Sequence, residues 1–258
     1  MNNKPLILIT NDDGVFAPGI KQLTESVKGL GDIVVVAPDK GFSGKSHGVT
    51  MDIPIFITKI SEEPGLTIYS CTGTPADCVK LAIHQILKVF PTLLISGINH
   101  GSNSSTSIVY SGTMASAIEG ALNGIPSIGF SLASFERNAD FSVAGFFAKM
   151  ITQRALESNL KPGTCWNVNV PSVELQEIKG IKAGRQASAF WKEDFVKSTH
   201  PRGIDYYWLT GYFHNTEPEA DDTDEWLLKN NYVSVVPISL DFTAHSEIRN
   251  LQEIFSDK

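Results

Sequence analysis

Short, continuously apolar runs recur along the first two-thirds of the chain: LILIT at 6–10, DIVVVA at 32–37, TLLISG at 92–97 and IPSIGFS at 125–131. A strand covered on one face alternates apolar and polar residues, whereas one covered on both faces is apolar throughout, so these runs predict parallel strands inside a sheet. Between them the period lengthens to that of a helix in APGIKQLTESVKGLG (17–31), PADCVKLAIHQILKVF (75–90) and SGTMASAIEGALNG (111–124), each bounded by Pro, Ser or Gly. A further helix over 141–156 and a strand over 165–171 extend the same alternation, which predicts a layered α/β fold. After Pro171 the texture changes. GIKAGRQASAFWKEDF (180–195), GIDYYWLTGYF (203–213) and NYVSVVPISL (231–240) are aromatic-rich and strand-like, and AHSEIRNLQEIF (244–255) has helical spacing. We therefore expect a core over 1–171 and a β-rich extension with a terminal helix over 172–258.

Composition narrows the functional classes. With 42% hydrophobic residues, 21 Gly and 13 Pro scattered along 258 positions, the composition argues against disorder and repeats. A net charge of −7 without any Lys/Arg run argues against a groove for DNA or RNA. No apolar run reaches the roughly 18 residues of a membrane span, and the N-terminus lacks a basic segment followed by an apolar one. Cys71, Cys78 and Cys165 form an odd set without metal-ligand spacing and read as buried apolar residues, so a cytoplasmic protein is expected.

In open α/β sheets, ligands bind beyond the carboxyl ends of the strands, so the polar residues there should converge. After the first strand come Asn11, Asp12, Asp13 and Gly14; after the second, Asp39, Ser43 and His47; after TLLIS, Asn99 and Asn103. NDDG could be no more than a turn. Two carboxylates side by side in a crevice repel one another, however, and a hard divalent cation removes that repulsion. Oxygen donors without a Cys or His cluster suit magnesium, manganese or calcium better than zinc. Ser111, Gly112 and Thr113 open an Ala-rich helix whose first N–H groups are either an anion site or simply capped by Ser or Thr. Thr74 and Pro75 open another.

Several alternatives fail or stay neutral. DKGFSGKS lacks the first glycine of a P-loop, and the following HGVTMDIPIFI (47–57) alternates like a strand. TNDDG places Asn11 where a haloacid dehalogenase phosphatase has its nucleophilic Asp. There is no G-x-S-x-G elbow. The acidic run 217–225 lacks the spacing and glycine of a calcium loop and reads as solvated loop. His47 and His100 are either proton donors or structural.

The blocks ILITNDDGVFAPGI, VVVAPDKGFSGKSHGVT, CTGTPADCVKLAI, LLISGINHGSN and YSGTMASAIEG, in this order over about 6–130, resemble the signature blocks of the SurE family of metal-dependent nucleotide phosphatases. YYWLTG and YVSVVPI resemble its C-terminal part. The resemblance implies a Rossmann-like core with one divalent cation held by Asp12, Asp13, Ser43 and Asn99; on this site we expect Asp12 or Asp13 to orient or deprotonate the attacking water. It further implies phosphate contacts from Asn103, Ser111, Gly112 and Thr113, to which Asn11 is added from its place beside the carboxylates. The implied activity is hydrolysis of nucleoside 5'- and 3'-monophosphates, with short polyphosphate in some members, by a homodimer or homotetramer that exchanges C-terminal hairpins. Where many members read Gly-Pro-Asn-Met-Gly, this chain has Gly101-Ser102-Asn103-Ser104-Ser105, losing a proline and a glycine beside the metal. A non-catalytic nucleotide or phosphate sensor with a regulatory metal site is the competing expectation.

Overall fold

The computed structural model describes residues 4–256. Nine strands form one sheet: β1 (Leu6–Thr10), β2 (Asp32–Pro38), β3 (Ile57–Glu63), β4 (Leu66–Cys71), β5 (Leu93–His100), β6 (Ser127–Ala133), β7 (Cys165–Pro171), β8 (Gly180–Ala183) and β11 (Tyr232–Pro237), in the order β3-β4-β2-β1-β5-β6-β7-β11-β8. The six central strands from β4 to β7 run parallel, while β3 and β11 pair antiparallel to β4 and β7. The remaining two, β9 (Ala189–Thr199) and β10 (Asp205–Asn215), form a separate antiparallel ribbon. Helices α1 (Pro18–Val27) and α4 (Ser142–Glu157) pack against one face of the sheet, and α2 (Pro75–Leu81) and α3 (Gly112–Leu122) against the other.

The continuous apolar runs are explained by this sandwiching. Ile7 and Ile9 join the core under α1 and α4, while Leu8 points the opposite way into the cluster beneath α2, and all three are fully buried. From β1 the chain winds outward through β2 to β4, then returns to lay β5 on the other side of β1. Strand order therefore reverses between β1 and β5, and their carboxyl ends flank the crevice where such sheets bind ligands.

Four details differ from the sequence reading. The segment 47–56 is irregular, and a strand begins only at Ile57. It is held side-on instead, with the Thr50 amide donating to Asp77 at 3.1 Å. LTIYSC, unread in the sequence, forms β4 because its buried ends Leu66 and Cys71 seat it beside β2. The acidic run is not wholly solvated loop: Thr223 caps a short helix α5 (Asp224–Lys229), and Asp224 is 1% exposed. The helix expected over 75–90 leaves α geometry after Leu81 through a π-helical turn at Ala82–Ile86. The chain closes with α6 (Ile248–Phe255). All three cysteines are free and buried, and no helix among the described residues is long and apolar enough to cross a membrane.

Candidate functional site

The turn after β1 is built by Asn11. Its amide nitrogen donates to the Gly14 carbonyl at 3.0 Å, and its oxygen accepts from the Gly14 amide at 3.2 Å, so the side chain closes the turn from within. The next residue, Asp12, faces a neighbouring loop on each side. Its carbonyl accepts from the Phe42 amide at 2.7 Å, which draws in the loop carrying Ser43. Its carboxylate accepts from the Thr113 hydroxyl at 2.5 Å and from the backbone N–H groups of Gly112 and Thr113. The anion at the α3 N-terminus is thus Asp12 itself. Gly112 is required by this approach, since a Cβ there would stand 2.6 Å from the Asp12 Cβ.

Asn99, at the end of β5, completes the convergence. Its amide nitrogen donates to the Gly101 carbonyl at 2.7 Å, which turns its oxygen toward Thr113, 3.4 Å from that hydroxyl. Asp12, Asn99 and the α3 end therefore share Thr113 as a common neighbour. Asp13 is partly buried and accepts from the His100 amide.

Burial pushes the Asp12 carboxyl up, against the lowering effect of Thr113 and the helix amides. Burial and then the Asp12 charge push Asp13 up to about 6, against the His100 amide. None of the ion pairs among the described residues includes either carboxylate.

Asp12, Ser43, Asn99, Asn103 and Ser111 line one cavity of about 1090 Å³. The other candidates are not in its lining: Asn11 closes the turn, Asp13 accepts from the His100 amide, and Gly112 and Thr113 hold Asp12. Ser111 accepts from the Met114 amide at 3.0 Å and is the N-cap of α3. Asn103 is anchored by a buried network: its amide donates to Asn169 Oδ1 at 2.8 Å, and its side chain to Ser131 Oγ at 2.9 Å. His100 lines the cavity with its Nε2 against the Glu136 carbonyl at 2.7 Å, whereas His47 pairs with Glu119.

Sequence reasoning missed the far wall. Ser104 donates to Glu225, and the Asp224 carboxylate accepts from the amides of Ser105 at 2.8 Å and Ala187 at 2.9 Å, fastening the serine-rich loop to α5 and to the root of β9. The signal was Thr223 followed by two acids, a helix start hidden inside a charge run.

The model of the family described as survival protein SurE matches residues 7–193 of this sequence. The chain belongs to the SurE family. It is similar to the 5'-nucleotidase SurE of Flavobacterium johnsoniae, 53% identical over 97% of this chain and 96% of that one. The 5'-nucleotidase SurE of Christiangramia forsetii is 52% identical over 96% of each chain. In three dimensions the chain superposes on the crystal structure of the SurE protein from Aquifex aeolicus with a TM-score of 0.84, at 38% identity, covering 98% of this chain and all of the other. The SurE match spans every loop from β1 to β7 that reaches the cavity, and stops within β9.

Proposed function

We propose that this chain is a 5'-nucleotidase, hydrolysing nucleoside 5'-monophosphates to nucleoside and phosphate, with 3'-monophosphates and short polyphosphate as further substrates. Its family and its relatives named 5'-nucleotidase support the reading. The observation that carries the chemistry is the carboxylate pair that no cation among the described residues joins in an ion pair: Asp12, 3% exposed and on the cavity wall, beside Asp13. Buried charges without a partner are costly, and a cation is the economical partner here.

Asp12, Asp13, Ser43 and Asn99 would hold one divalent cation per subunit. Their donors fit such an ion, being oxygens alone, with the Asn99 oxygen turned toward the Asp12 side by the Gly101 bond. The set suits Mg2+ or Mn2+, and Ca2+ in a crystal. When bound, the cation supplies Lewis acidity toward a phosphate oxygen and offsets charge developing at phosphorus. Asp12 or Asp13 orients the attacking water and takes its proton. Asn103 and Ser111 face the cavity as donors to phosphate oxygens. Gly112 and Thr113 act from behind by fixing the Asp12 carboxylate, and Asn11 by shaping its turn.

The substrate is a small nucleotide and not a nucleic-acid polymer or a membrane. The three buried, unpaired cysteines accord with a cytoplasmic setting. The chain after 171 we assign to assembly as a homodimer or homotetramer with C-terminal hairpins exchanged between subunits, the β9–β10 ribbon presenting the same inner face to whichever cavity it closes, its own or the partner subunit's.

Phosphate release from AMP tests the activity. With Mn2+ present the protein should release phosphate, EDTA should stop it, and Asp12→Asn should lower turnover by about 100-fold or more while circular dichroism stays native. No release from AMP under any divalent cation, or undiminished metal-dependent turnover in Asp12→Asn, would refute the proposal.

A further inference from the structure

The cavity walled by Asp12 and Asn99 is closed elsewhere by the β9–β10 ribbon. In such a ribbon, alternate residues share a face, and residues paired across the strands face together. The pairs Trp191 with Phe213 and Glu193 with Gly211 fall on one face, with Leu209 two positions farther along, and all five line the cavity. Trp191 and Phe213 pack edge to face with centroids 6.0 Å apart.

Between Phe213 and Leu209 stands Gly211, at φ +147°, where a Cβ would lie 2.3 Å from the Lys192 carbonyl oxygen. With no side chain at Gly211, Phe213 and Leu209, about 14 Å apart along the strand, leave an open stretch of this face between them with room for a planar ring. Glu193, paired across the ribbon with Gly211, lines the same cavity. The root of the ribbon is fixed, because Ser105 and Thr106 donate to the Ala189 carbonyl at 2.6 and 2.7 Å. Trp191 therefore lies two residues from an anchor on the loop that carries Asn103.

A flat apolar slot with a carboxylate acceptor recognises a planar ring bearing N–H donors. We infer that the inner face of the β9–β10 ribbon is the nucleobase subsite, Trp191 stacking on the base and Glu193 accepting an exocyclic amino N–H. This inference rests on the nucleotidase reading and adds the residues that separate a nucleotide from a bare sugar phosphate.

The test compares AMP with ribose 5-phosphate, which keeps the phosphoester and lacks the base, on the intact protein. Trp191→Ala should raise KM for AMP about tenfold, in line with base–aromatic stacking. KM for ribose 5-phosphate should stay within about twofold, which also reports that the variant remains folded. Trp191→Phe should restore most of the AMP affinity. Glu193→Gln should reduce the preference for AMP over IMP, whose base carries oxygen in place of the amino group. Equal weakening of AMP and ribose 5-phosphate in Trp191→Ala, or no change in either, would overturn the assignment. If the wild-type protein hydrolyses neither ester, the nucleotidase reading falls by itself. Equilibrium dialysis of AMP against ribose 5-phosphate then judges the slot: a Trp191→Ala loss confined to AMP supports it, and any other pattern overturns it.

Discussion

Glu119, on α3, is only 4% exposed, yet it carries no part of the cavity wall. It accepts from Lys80 Nζ at 2.7 Å and from Asn123 Nδ2 at 2.9 Å, and pairs with His47 Nε2 at 2.9 Å. Burial pushes its carboxyl up, but the hydrogen bonds and charges of His47 and Lys80 outweigh that and hold it at about 2. A carboxyl lowered on folding stabilises the protein above its unfolded value of roughly 4.3 and loses that contribution as pH falls toward the folded value. Glu119→Gln should therefore cost about 2 kcal/mol in urea unfolding at pH 7, with the gap to wild type closing between about pH 4 and pH 2. A gap that stays constant across that range would assign the loss to packing instead. The pairing was not legible in the sequence, where Glu119 is one acid in an Ala-rich helix and its partners Lys80 and His47 lie 39 and 72 residues away. Asp12 and Asp13 were legible, because a buried strand ending in two acids is a local feature. Their neighbours Thr113 and Asn99 had to be brought from elsewhere by the fold.

At the scale of elements, the parallel strands and flanking helices declared themselves through period alone, since covered strands lose alternation and helices keep theirs. What escaped were elements whose identity depends on neighbours. Residues 47–56 alternate like a strand but pair with none in the sheet, and LTIYSC, half-buried along its middle, is a strand because β2 lies beside it. The β9–β10 ribbon was visible as aromatic β-leaning sequence, but its two faces were not. On the face opposite Trp191 and Phe213 stand Trp208 and Tyr212, 62% and 56% exposed. A ribbon of 11 residues per strand that shows large apolar groups on both faces is poorly suited to solitary exposure. If this outer face lies between subunits, Trp208→Glu with Tyr212→Glu should shift the protein in sedimentation velocity from a dimer or tetramer toward the single chain. Wild-type protein sedimenting as a single chain would contradict the assignment.

For the whole molecule, the reversal of strand order between β1 and β5 decides where chemistry can occur. It sets the turn of Asp12, the loop of Ser43, the end of β5 at Asn99 and the start of α3 around one crevice, although these residues span a hundred positions of sequence. The fold contributes a helix N-terminus and a buried threonine to hold Asp12 in place, and among the described residues no cation pairs with its charge. The central claim is that a divalent metal ion completes this arrangement. Crystals grown with Mn2+ and measured for its anomalous scattering test that claim directly. The expected result is one strong peak per chain within about 2.6 Å of oxygens from Asp12, Asp13, Ser43 and Asn99; a peak lodged elsewhere, or none with manganese in excess, would contradict it.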